Sequence, residues 1–243
     1  MKKFLLTVAF LGISFVGFGQ CPVAPITLDS QDDVDNFSVE YPSCTYPPGL
    51  TISGPDITDL SPLSQITEIN QLNIIETSIS NFAGLENLTA INQQFFVFDN
   101  PNILSFEGFD SLALIDGTIQ ISDNIALQNL EGLDALTILS ANLTILRNNG
   151  LIDISGLENI TALGGFLNVK ENPSLLNISA LGNVEEINGT LRISQNNQLT
   201  TLEGLENVAL IDNAGSLIID GNAILSSLDA LANLFFLNET HLF

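Results

Sequence analysis

The chain has 243 residues, 45% of them apolar and 14% charged, with 28 acidic side chains against 5 basic ones. So much apolar surface excludes a disordered acidic tail, and a formal charge of −23 repels nucleic-acid phosphates and anionic membrane surfaces, so no nucleic acid is expected as a partner. One His, two Cys and no Trp leave too few parts for an imidazole base or a His/Cys metal cage, so neither enzyme activity nor a cofactor nor a metal is expected.

Residues 1–19 read as a signal peptide. Lys2 and Lys3 precede an apolar run from Phe4 to Phe18, shorter than a membrane span, and Gly17 and Gly19 supply the small residues that cleavage after Gly19 requires. Lipid attachment at Cys21 is the weaker alternative, because Gln20 stands where that pathway takes Gly, Ala or Ser. Removal of the leader leaves Arg147, Lys170 and Arg192 as the cations. Polar residues recur every two or three positions thereafter, so no membrane insertion is expected after cleavage. The product is expected to be secreted or held at the outer cell surface.

Residues 20–49 read as an N-terminal cap. Cys21 and Cys44 are the only cysteines, and an exported chain with an even count pairs them most simply. Between them Ser30-Gln-Asp-Asp33 resembles a capping box, Val34, Phe37 and Tyr41 share one helical face, and Pro42 stops the helix. The acidic run Asp29, Asp32, Asp33, Asp35 has neither the Gly nor the terminal Glu of a calcium loop, and reads as helix-start charge.

Residues 50–243 are one repeat written eight times. Coils begin at Leu50, Leu72, Phe95, Ile119, Leu143, Leu167, Leu191 and Leu217, at spacings of 22 to 26 residues. Leu143, Ile145, Asn148, Leu151, Ile154, Gly156, Leu157, Ile160 and Leu163 display the frame, and its seven apolar positions hold Leu, Ile, Val or Phe in every coil. A coil with one apolar stripe buries it only by stacking on its neighbours, so the period predicts a mainly β, right-handed parallel solenoid with all of these positions buried. Apolar residues two apart predict a short strand; those at every third residue predict tight turns after it. Small residues (Gly84, Gly108, Gly132, Gly156, Ala180, Gly204, Ala230) stand within the turns. Asn100, Asn124, Asn148, Asn172, Asn196 and Asn222 form one column after the strand, expected to satisfy backbone groups at the bend.

The repeat resembles a leucine-rich repeat. It departs from that pattern because the next apolar residue follows Asn at the third place and because a small-Leu step is added. In this form it resembles the receptor L-domain repeats of secreted and surface proteins of Bacteroidetes-type bacteria. The cap, with Ile26-Thr-Leu28, Ser30-Gln-Asp-Asp-Val-Asp-Asn-Phe37 and Leu50-Thr-Ile52, is similar to the start of such proteins. The resemblance implies an L-domain-like fold at the cell surface and brings no catalytic motif. Members usually end in a C-terminal sorting module, and a ninth coil would begin at His241-Leu-Phe243, so the chain is expected to be a fragment.

Strand alternation points the second and fourth residues of each coil outward. Ile75, Phe96 and Phe98 then make an apolar patch on a polar face, the expected contact with a protein or glycan at the cell surface. Lys170 and Arg192, diagonal neighbours, are a second candidate contact, for an anionic group. Glu76, Asp99, Asp123 and Glu171 line up as an acidic column interrupted by Arg147, and calcium there is the minor reading. The expected role is a non-catalytic exported or cell-surface binding and adhesion module. The alternative is a repeat-built targeting arm or structural spacer of a larger surface protein.

Overall fold

The computed structural model describes residues 21–211 and 215–236; the expected leader at 1–19 and the start of a ninth coil at His241 lie outside them. The chain winds into a parallel β-solenoid of about eight turns. Leu143 pairs with Leu167, Leu167 with Leu191 and Leu191 with Leu217, so each strand lies in register on its counterpart one coil on. All seven apolar positions of each of the first seven coils are buried, with no more than 1% of the surface of any exposed. That stripe forms one continuous core, in which the rings of Phe82 and Phe95 each pack on Phe106 and Phe109 at the second and third coils.

From the third coil on, each coil also carries a second, two-residue strand where the sequence predicts only turns: Leu114–Ile115, Ile138–Leu139, Ala162–Leu163, Glu186–Ile187, Leu210–Ile211 and Phe235–Phe236 form a short parallel ladder. It joins the long ladder through Glu68–Ile75 and Ala90–Phe98, which run through both. A two-residue strand has one inward residue, so its alternation is invisible in sequence.

The small residue of each turn decides local conformation. Gly84, Gly108, Gly132, Gly156 and Gly204 all adopt φ between 106° and 108°, which side-chain-bearing residues rarely reach, and a methyl group built on Gly156 would strike the Leu130 carbonyl of the preceding coil. Where the column holds Pro62, Ala180 or Ala230 the turn becomes a short 3-10 helix instead, at Ser61–Leu63, Ser179–Leu181 and Asp229–Leu231.

The Asn column is a buried hydrogen-bonded ladder. The backbone N–H groups of Asn100, Asn124, Asn148, Asn172 and Asn196 each donate to the side-chain oxygen of the next Asn at 2.9–3.0 Å. Each side-chain amide in turn donates to a strand carbonyl of the preceding coil, as from Asn148 to Ile121 and from Asn172 to Ile145. Thr77 begins the ladder, its N–H and hydroxyl both donating to Asn100 Oδ1. Chain reversal strips the Asn N–H groups of ladder partners, and the side-chain oxygen of the next Asn replaces them while its amide adds a second donor to a strand carbonyl.

The cap closes one end. Cys21 and Cys44 are joined by a disulfide, and Ile26–Leu28 pairs in parallel with Leu50–Ile52, adding a strand to the long ladder. The helix Gln31–Glu40 starts at Ser30, whose hydroxyl accepts the Asp33 N–H and donates to the Asp33 carboxylate, while Val34 and Phe37 are buried. Gln31 takes the Thr58 and Asp59 N–H groups on its side-chain oxygen, and the Gln65 amide donates to the Tyr41 and Cys44 carbonyls, so the cap is held to the first coil from both sides.

The other end differs from expectation. Leu217, Ile219, Leu225, Leu231 and Leu234 are only half-buried and Leu228 is 55% exposed, because no described residue stacks on this coil. Ile211 pairs with Phe236, one residue before the Leu237 that the 26-residue offset of Leu191 and Leu217 predicts.

Candidate binding surfaces

The long ladder buries its first and third residues and leaves the second and fourth partly open. Phe95 and Val97 are fully buried, whereas Phe96 and Phe98 are half-buried. Phe98 lies in register between Ile75 and Ser122, and Phe96 between Asn73 and Gln120. Ser122 is itself fully buried between Phe98 and the half-buried Leu146, its partner in the next coil. Ile75, Phe98 and Leu146 thus share one outward row, with Phe96 beside it. Leu146 belongs to the patch, and a reading that stops at the polar Ser122 misses it. Flanking amides are already bonded: Asn73 donates to Thr51 and accepts from Gln94, and Gln120 donates to Ser122. The patch is therefore an apolar strip within a satisfied polar border, the arrangement of a contact core and its rim.

Lys170 and Arg192 sit on adjacent strands, Asn168 being opposite Arg192 and Ser194 opposite Lys170. They do not converge on one carboxylate. Lys170 pairs with Glu171 at 2.7 Å, and among the described residues Arg192 has no acidic partner within 4.0 Å. Asn168 Oδ1 and Ser194 Oγ, next to the two cations, are buried without a hydrogen-bond partner.

The fifth residue of each coil makes the corner, and here the structure explains the acidic column. Glu76, Asp99, Asp123, Arg147, Glu171 and Gln195 all adopt left-handed φ of 53–61°, and Gly221 follows at 65°. A side-chain-bearing residue in this region costs roughly 1–2 kcal/mol, least for Asp. The Asp123, Arg147, Glu171 and Gln195 N–H groups each donate to a carbonyl of the following coil. Arg147 grips Asp123 with two bonds of 2.7 Å and stands 4.0 Å from Glu171; the Asp123 contact raises the guanidinium pKa further above its ordinary value. Asp123 is thus committed to a cation of the chain itself, and among the described residues no three His, Cys, Asp or Glu side chains gather as a metal site would require. The sequence signal for a left-handed corner is Gly221, in a column whose other left-handed members are polar.

Among the described residues no helix is long and apolar enough to cross a membrane. No family profile matches the chain, and no curated protein matches it.

Proposed function

We propose that the chain is a non-catalytic binding module of the secreted or cell-surface kind, and that it holds a protein or glycan partner through the strip formed by Ile75, Phe96, Phe98 and Leu146. The observation that carries this reading is the in-register row of partly open apolar side chains on a face whose other outward residues, Ile218 apart, are polar. Completing the burial of two half-covered Phe rings contributes roughly 2–3 kcal/mol, more than an exposed ion pair supplies. Composition supports a non-catalytic role, since the single His is His241 and neither Cys is free. The leader-like residues 1–19, the disulfide and the resemblance of the repeat to receptor L-domains support export and an outer-surface location. The alternative role, a targeting arm or spacer of a larger surface protein, uses the same rod without the strip.

Fluorescently labelled protein, wild type and Phe96→Ser/Phe98→Ser, applied to intact cells of the source organism and counted by flow cytometry, separates the two roles. The binding role predicts about a tenfold loss of cell-bound signal with the melting transition retained. Equal signal from both proteins, with equal melting temperatures, refutes the strip as the contact and leaves the spacer.

A further inference from the structure

A second surface, independent of the apolar strip, runs along the left-handed corner. One wall of this open groove is the row Asp123, Arg147, Glu171 and Gln195; the other is the row Ile125, Asn149, Pro173 and Asn197. Between them lies the buried Asn ladder. With coils stacked at about 4.8 Å, the groove to Gly221 is roughly 20 Å long. Ile125, Asn149, Pro173, Gln195 and Asn197 are all exposed.

Three features define what would lie there. The backbone N–H groups of the first wall are consumed by the next coil, so an extended peptide finds no strand edge to pair with. What the groove offers is side-chain chemistry in alternation: guanidinium and amide donors beside carboxylate and amide acceptors, with Ile125 and Pro173 as apolar steps on the opposite wall. Hydroxyl groups, which donate and accept at once, match that alternation, and the apolar faces of sugar rings match the steps. The carboxylates and the net charge of −23 disfavour an anionic ligand. Finally, the spacing repeats once per coil, close to the length of one pyranose unit in an extended β-1,4-linked chain.

The geometry points to a binding groove for a neutral, extended polysaccharide lying parallel to the rod axis, four or so sugar units in contact. Titration calorimetry of the full chain with cellohexaose tests this, with curved maltohexaose as the counterpart of equal size and composition. Saturable binding of cellohexaose is expected, about tenfold tighter than maltohexaose, and weakened about tenfold by Asn149→Ala/Asn197→Ala, which removes no ion pair. Asp123→Ala/Arg147→Ala gives the same loss, whereas Phe96→Ser/Phe98→Ser binds as wild type, so the groove and the strip fail or stand separately. Absence of saturation at roughly millimolar cellohexaose overturns the proposal, as do equal affinities for the two sugars or full binding by the Asn variant. Saturable binding of calcium alone, lost on Asp123→Ala, overturns it in favour of a cation.

Discussion

The side-chain oxygen of Asn148 accepts the backbone N–H of Asn124 at 3.0 Å, and the N–H of Asn148 donates to Asn172 at 2.9 Å. One Asn, through its side chain and its backbone, thus bonds to the coil on either side. Asn148→Ala leaves the Asn124 N–H buried without a partner, at roughly 1–3 kcal/mol. Thermal unfolding should register this as a melting temperature lower by several degrees. A change within the error of the measurement contradicts the ladder.

Gly156→Ala should cost more than Ala180→Gly, although the two positions share a column. Gly156 sits at φ of 106° against the Leu130 carbonyl, so a methyl group costs roughly 2–4 kcal/mol. Ala180 lies in the 3-10 helix Ser179–Leu181, where glycine loses only about 1 kcal/mol of backbone entropy. Urea unfolding of the two variants measures the difference, and equal losses would mean that the turn type is not set by this residue.

The period, the buried stripe, the cap helix and the disulfide were legible in the sequence because each rests on local or strictly periodic residues. Leu143 and Leu167 need no tertiary information to be seen as equivalent. The short ladder escaped because Ile138–Leu139 has only one inward side chain. The corner escaped because Asp123 and Glu171 look like metal ligands until their φ is known; backbone sign leaves a sequence trace only where glycine appears, as at Gly221. Leu146 was separated from the apolar strip by Ser122, which registers as polar in sequence but is buried in the row.

The cap should respond to acid. The Ser30 hydroxyl, together with the side chain and N–H of Asp29, holds the Asp33 carboxyl below the ordinary carboxylate range, whereas bonding to Asp33 and repulsion from it raise Asp29. A lowered folded-state pKa stabilises above the unfolded value and loses that contribution as pH falls through the folded one; a raised pKa works the other way, its contribution vanishing as pH rises. At neutral pH only Asp33 contributes. Asp33→Asn should therefore lower the melting temperature at neutral pH and not in strong acid, while Asp29→Asn should leave it unchanged or raise it at neutral pH. The reverse order would contradict the capping geometry.

Cys21→Ser/Cys44→Ser should lose roughly 3 kcal/mol, the unfolded-chain entropy returned when a loop spanning a separation of 23 residues is opened. Hydrogen exchange should place the loss at the cap first, with the N–H of Ile26, which donates to the Gly49 carbonyl, exchanging faster while Leu191 and Ile193 remain protected. Uniform acceleration along the rod would show that the cap and the coils unfold as one unit.

The proposed contact puts the partner on the outer face of the long ladder. Hydroxyl-radical footprinting of the protein bound to cells, compared with the free protein, tests it most directly, because radical labelling reports side-chain exposure residue by residue. Protection of Ile75, Phe96, Phe98 and Leu146 upon binding, with Leu114 and Ile138 on the short ladder labelled as in the free protein, is the predicted result. Unchanged labelling of the four strip residues in the bound state, or protection confined to Leu114 and Ile138, would contradict it.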